Sequence, residues 1–149
     1  MKLLFICTGN TCRSPMAQGL AQKSFSNGFE IFSAGINAIE GDTVSEHAAA
    51  VLKEKGIDIS NHLAVKLTKE MLKYADYIFT MTDSQTIYLK KSYPEYGNKI
   101  KTLGSWVGCG KEVSDPWGGS IDRYRCCAQE LEQMLITAYK KLSNQGEEK

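Results

Sequence analysis

Two spacings of hydrophobic residues alternate along the chain, and their order predicts its elements. Residues 2–6 are a short apolar run that opens into polar Thr8, Gly9, Asn10 and Thr11, and Ser14-Pro15 then starts a helix with proline in its first turn. Met16, Leu20, Ala21 and Phe25 recur at helical spacing until Gly28, and residues 29–33 have the length and apolarity of a second strand. Thr43 or Ser45 is placed to cap a helix running to about Lys55 and closed by Gly56. Residues 67–74 add one or two helical turns, residues 77–81 a third strand, residues 84–91 a helix before Pro94 and Gly97, and residues 99–103 a fourth strand. From Ile121 to about Leu142 apolar side chains, among them Leu131, Leu135 and Tyr139, fall at helical intervals, and the tail at about 143–149 is expected to fray.

Strands alternating with helices imply an α/β fold with a parallel sheet, because each crossover helix must return the chain over the sheet. In such sheets ligands gather at the carboxyl ends of the strands, where the loop beginning at Cys7 falls. The 149 residues, with no repeat or linker, predict one domain over 1–149. A charged fraction of 23% against 42% hydrophobic excludes a disordered or fibrous chain. The net charge of +1 gives no global reason to expect nucleic acid or an anionic membrane as partner, so any anion recognition must be local. The first apolar run is too short for a secretory leader, and no stretch approaches the ~20 apolar residues of a membrane span. Five cysteines, two of them adjacent at Cys126 and Cys127, do not suit the paired bridges of a secreted domain, and a reducing, cytoplasmic location follows.

The chemistry is concentrated in Cys7-Thr8-Gly9-Asn10-Thr11-Cys12-Arg13-Ser14, a Cys-x5-Arg-Ser pattern between a strand and a helix start. A short loop feeding a helix aims successive backbone N–H groups inward, and with the positive helix terminus they bind a tetrahedral dianion. Gly9 permits close backbone approach, Asn10 tolerates a left-handed turn, and the planar fork of Arg13 grips two phosphoryl oxygens. The same field favours the ionised form of a thiol, which makes Cys7 a candidate nucleophile. Alone, Cys7 would be a small buried hydrophobe and Arg13 a surface charge; spacing and context together argue for function. Ser14 is placed to donate to the Cys7 sulfur, to cap the helix, or both. A phosphocysteine route needs an acid for the leaving group and then a base for water, and Asp115, in the breaker-rich Asp115-Pro116-Trp117-Gly118-Gly119, is the best candidate for both.

The segments CTGNTCRSP and SDPWGGS, with SAG at 33–35, GIDISNHLA at 56–64 and ADYIFTM at 75–81, resemble the low-molecular-weight protein tyrosine phosphatase family nearly end to end. The resemblance implies a flavodoxin-like three-layer sandwich, a four-stranded parallel sheet with helices on both faces, acting through a phosphocysteine with no metal or other cofactor. It implies Cys7 as nucleophile, Arg13 as phosphate ligand and transition-state clamp, and Asp115 as acid and then base. It further implies that Asn10, Ser14, Ser33 and His62 form the hydrogen-bond network shaping the loop. Asp42, Asp58, Asp76 and Asp83 lack comparable context.

Where the family often carries Leu after the nucleophile and Ile four positions beyond it, this chain has Thr8 and Thr11. An aromatic leaving group prefers apolar walls and a guanidinium prefers acceptors, so the chain resembles the bacterial branch that removes phosphate from phosphoarginine. The expected function is a monomeric phosphatase of phosphorylated proteins, phosphoarginine the expected substrate and phosphotyrosine the alternative. Trp117 either walls the entrance or anchors its loop. An arsenate reductase of the thioredoxin-coupled type would need redox cysteines that residues 81–91 lack, and a non-catalytic phosphate reader would have no need of Cys7, Arg13 and Asp115 together. The cysteine and histidine spacings hold no pair of zinc knuckles. Cys12 is either a filler of the loop or the thiol that traps an oxidised Cys7 as a disulfide.

Overall fold

The computed structural model describes residues 1–147. The first strand, β1 (Lys2–Cys7), is central: Leu3, Phe5 and Cys7 face one side and Leu4 and Ile6 the other, and all five are buried. A strand covered on both faces must be apolar throughout, which is why the run of residues 2–6 does not alternate. It is flanked by β2 (Glu30–Gly35) and β3 (Tyr77–Thr80), with β4 (Ile100–Thr102) beyond, so that four parallel strands lie in the order β2-β1-β3-β4.

The connections are α1 (Arg13–Ser24), α2 (Glu46–Glu54), α3 (Lys69–Tyr74), α4 (Asp83–Ser92), the short α5 (Leu103–Trp106) and the long α6 (Ile121–Glu147). α1, α2, α5 and α6 pack on the face of Leu3 and Phe5, while α3 and α4 cover the face of Leu4, Ile6 and Ile78. This is the α/β flavodoxin-like sandwich that the family resemblance implies. The chain passes from β1 to β2 on one side and returns to β3 on the other, so the carboxyl ends of β1 and β3 border a crevice at the switch point of the topology.

Boundaries differ from expectation: α1 ends at Ser24, short of Gly28, β2 runs Glu30–Gly35 in place of 29–33, and three further differences have a visible cause. Pro94–Lys99 winds into a 3₁₀ helix, with proline supplying the fixed φ of its first turn. β4 stops at Thr102, whose Oγ1 accepts from Ser105 N at 3.1 Å and so begins α5 inside the segment expected to be strand. The tail expected to fray from about 143 is helical as far as Glu147, because Leu142 is fully buried and Gln145 accepts a hydrogen bond from the Tyr77 hydroxyl. Residues 148 and 149 of that expectation lie outside the described residues. Among the described residues no helix is long and apolar enough to cross a membrane.

Candidate active site

Between the end of β1 at Cys7 and the start of α1 at Arg13, the loop turns its carbonyl groups outward onto the surrounding chain. Cys7 O accepts from Ile36 N (3.0 Å), Thr8 O from Asn37 N (2.9 Å), Thr11 O from Ser45 N (2.9 Å) and Cys12 O from Met16 N (3.1 Å), and Asn10 O meets His62 Nε2 at 3.0 Å. The peptide bonds are all trans, so each outward carbonyl obliges the next N–H to face the opposite way. By this geometry the N–H groups of Thr8, Gly9, Thr11, Cys12 and Arg13 point away from those partners, and Asn10 N donates to Cys7 Sγ at 3.3 Å. A ring of donors around one sulfur is an anion site.

Asn10 holds this curl. It is fully buried with φ of 55°, the left-handed conformation that a short polar side chain best tolerates. Its Nδ2 donates to Ser14 Oγ (2.8 Å) and Ser33 Oγ (3.0 Å), and its Oδ1 accepts from Val65 N (2.9 Å). Ser33 Oγ donates its own hydrogen bond to Gln18 Oε1 at 2.5 Å. Ser14 Oγ accepts from Asn10 and has a hydroxyl hydrogen to donate to Cys7 Sγ at 2.9 Å, the direction that an ionised sulfur requires. Burial pushes the His62 pKa below its ordinary value, opposed by the contact with Asn10 O. A neutral ring can satisfy a carbonyl only as the Nε2–H tautomer, so His62 donates to the loop and braces it.

Gly35, at the end of β2, lets the loop lie this close to the sheet. A Cβ there would stand 2.8 Å from Thr8 O and 2.9 Å from Asn10 N, both backbone atoms that cannot swing aside. Gly35→Ala is expected to displace the loop and cut kcat by roughly 10–100-fold, since about 1 Å of misplacement costs that order of rate. Steady-state kinetics on a chromogenic phosphate ester, beside a thermal melt showing a folded variant, check this.

Arg13 is buried in the first turn of α1, its Nη1 donating to Val113 O at 3.1 Å and its Nη2 lying 3.6 Å from Asp115 Oδ2. Asp115 is half exposed, and its other oxygen accepts from Trp117 N at 3.1 Å, a local turn that points the carboxylate toward the loop. Cys7, Thr8, Gly9, Thr11, Cys12, Arg13, Asp115 and Trp117 together line a pocket of about 210 Å³. Trp117 is 74% exposed, which makes it a wall of the entrance and rules out the alternative of a core anchor. Cys12 Sγ rests 3.5 Å from the Tyr124 hydroxyl, whose pKa is pushed up chiefly by burial. Thus the pocket gathers Cys7, Arg13, Asp115, Thr8, Thr11 and Trp117, while Asn10, Ser14, Ser33 and His62 stand behind it. A larger cavity of about 460 Å³, between Leu20, Ile57 and Leu135, holds no nucleophile or acid pair of this kind.

The family model described as low molecular weight phosphotyrosine protein phosphatase matches residues 2–148. The chain belongs to this family. Among low molecular weight phosphatases of known structure, the YwlE arginine phosphatase from Geobacillus stearothermophilus superposes with a TM-score of 0.95 at 39% identity, covering 99% of this chain and 96% of that one. A low molecular weight protein tyrosine phosphatase from T. tengcongensis is 44% identical with a TM-score of 0.90, over 95% of this chain and 99% of its own. A cysteine-to-serine mutant of YwlE arginine phosphatase whose active-site serine is phosphorylated matches at 0.89 and 35% identity, over 96% of each chain.

Four residues of this phosphatase site escaped sequence reasoning, and only Gly35, the last residue of the SAG segment, carried a signal that could have found it. Gln85 on α4 donates from Nε2 to Thr8 Oγ1 at 3.1 Å, Val113 offers only its carbonyl to Arg13, Gly35 matters for a side chain it lacks, and Tyr124 meets Cys12 from α6. Two set-aside carboxylates are structural: Asp76 Oδ2 accepts from Lys2 N at 2.8 Å, and Asp58 Oδ1 closes a turn on Ser60 N at 2.9 Å.

Proposed function

We propose that residues 1–149 form a single catalytic domain, a monomeric cytoplasmic phosphatase that hydrolyses phosphorylated side chains of proteins, phosphoarginine first among them. The observation that carries this reading is Cys7 Sγ in a ring of inward N–H donors, with Arg13 and Asp115 on the walls of the same pocket. The loop N–H groups and Arg13 hold the three non-bridging phosphoryl oxygens, placing phosphorus over Cys7 Sγ. The thiolate attacks in line, the bond from phosphorus to the leaving group breaks, and Asp115 supplies the proton that the leaving nitrogen or oxygen needs. Asp115, now a carboxylate, takes a proton from water, which attacks the phosphocysteine and releases inorganic phosphate. Ser14 and Asn10 N stabilise the departing sulfur through the two hydrogen bonds that they already make to it. The relative whose active-site serine carries a phosphoryl group supports an intermediate on this side chain. The shared pocket supports Cys12 as a thiol that captures an oxidised Cys7 in a disulfide, with a simple filler of the loop as the alternative.

The arginine preference rests on Thr8 and Thr11, hydroxyl-bearing residues where apolar ones would suit an aryl ring, and on the half-exposed carboxylate of Asp115 facing them across the pocket. Hydroxyl and carboxylate oxygens are acceptors for guanidinium N–H groups. Phosphotyrosine is the second reading, favoured by the identity with a relative described as a tyrosine phosphatase and by the exposed ring of Trp117, on which an aryl group can stack. The two are separated by kcat/KM on phosphoarginine and phosphotyrosine peptides of one sequence. Thr11→Ile is expected to lower the arginine-to-tyrosine ratio by roughly 10-fold or more, because one partly buried acceptor is lost and an apolar wall gained. Faster turnover of the tyrosine peptide by the wild type, with the ratio unmoved by Thr11→Ile, overturns the arginine reading.

A further inference from the structure

Beside the catalytic pocket, and sharing Thr8 with it, lies a second cleft of about 170 Å³ bounded by Ile36, Asn37, Ser84, Gln85 and Tyr88. Its floor is unusually well determined. Gln85 is buried, and its Oε1 accepts from both Met81 N (2.9 Å) and Thr82 N (3.1 Å), the second of these as part of the capping box that starts α4. Only the carbonyl oxygen of an amide can accept, so these two bonds fix which end of the side chain is which, and Nε2 faces Thr8 Oγ1 at 3.1 Å as a donor. Thr8 is thereby an acceptor toward Gln85 and retains its own hydroxyl hydrogen. That hydrogen is available to an acceptor in either of the two spaces that Thr8 borders.

We infer that this cleft receives the peptide main chain adjoining the phosphorylated residue of a protein substrate, with Gln85 as the positioning residue that holds Thr8 as a hydrogen-bond donor at the junction. The inference rests on the phosphatase reading and adds the recognition of a polypeptide to it. The second lone pair of Thr8 Oγ1 can still accept from a guanidinium, but its hydrogen needs an acceptor, which a peptide carbonyl offers and a guanidinium does not. The cleft has room for roughly five or six waters at about 30 Å³ each, the bulk of one amino-acid residue and not of a globular partner. Its lining suits a main chain: Asn37 and Ser84 are exposed and can both donate and accept, and Tyr88, one helical turn after Ser84 on α4, is half exposed and presents a ring to the aliphatic part of a residue. Asn37 N is itself bonded to Thr8 O, so the cleft and the phosphate loop are mechanically one wall.

The test compares kcat/KM on a phosphopeptide with kcat/KM on p-nitrophenyl phosphate, which has no main chain, and reads the ratio. Gln85→Glu keeps the two acceptor bonds to Met81 and Thr82 and turns Thr8 around, because a carboxylate can only accept from it; since Thr8 also lines the catalytic pocket, ester hydrolysis falls as well in this variant and only the ratio is read. Tyr88→Ala and the double variant Asn37→Ala with Ser84→Ala remove the outer wall without touching Thr8. Each is expected to lower the peptide-to-ester ratio by about 5–10-fold, the order of one lost hydrogen bond or apolar contact. Thermal melts establish that the variants are folded. Ratios within twofold of the wild type in all three, with ester hydrolysis intact in the two outer-wall variants, overturn the cleft and leave the phosphatase reading standing. An equal fall on both substrates also overturns it, since that is the signature of a structural role. A wild type that hydrolyses neither substrate removes the phosphatase reading and this inference with it.

Discussion

Cys7→Ser is expected to lower turnover by about 10⁴-fold or more while leaving phosphate binding in place. The substitution changes one atom, and the partners of that atom persist: Ser14 Oγ and Asn10 N can donate to an oxygen as they do to sulfur. What is lost is the nucleophile, because a serine hydroxyl carries no appreciable negative charge near neutrality and has no base beside it. Asp115 has one oxygen on Trp117 N and the other 3.6 Å from Arg13 Nη2, and in the proposed mechanism it serves the leaving group. Steady-state kinetics on p-nitrophenyl phosphate measure the rate, and inorganic phosphate or vanadate binding by calorimetry measures the cradle. Turnover within tenfold of the wild type would remove the cysteine from the chemistry. Loss of anion binding together with turnover would instead place the effect in the shape of the loop.

Asp115→Asn is expected to reduce kcat by about 10²–10⁴-fold, the range ordinarily contributed by one positioned acid or base, with KM on p-nitrophenyl phosphate falling as the phosphocysteine accumulates. An asparagine Oδ1 still accepts from Trp117 N, so the local turn survives, but it can neither give a proton to the leaving group nor take one from water. The ion pair with Arg13 is also lost, at small cost to stability, since the contact is 3.6 Å long and the carboxylate half exposed. Arg13 stays anchored through Val113 O. The variant should show a burst of p-nitrophenol, because this leaving group departs without much help while hydrolysis of the phosphocysteine stalls. A variant with wild-type kcat and no burst would require another acid.

Local order made the fold legible. The strand-to-helix transitions at Cys7, the apolar run of β1 and the spacing of Leu131, Leu135 and Tyr139 on α6 are set by residues within a few turns of one another, and the structure keeps them. Element ends were less legible where a side chain at the boundary chose a distant or unlooked-for partner. Thr102 caps α5 where a β-branched residue equally suits a strand, and Gln145 accepts from the Tyr77 hydroxyl.

The sequence by itself determined that a thiol, a ring of backbone donors and a guanidinium would share one anion site, since Cys7 to Arg13 spans one short loop between a strand and a helix and its geometry is nearly closed by local bonds. Tertiary structure alone decided what surrounds that site. Arg13 is aimed by a carbonyl one hundred residues away, the loop is seated by the missing side chain of Gly35, and the polarity of Thr8 is set by Gln85 from another helix. Hydrogen-bond direction and close packing depend on which groups meet, and which groups meet is a property of the folded chain as a whole.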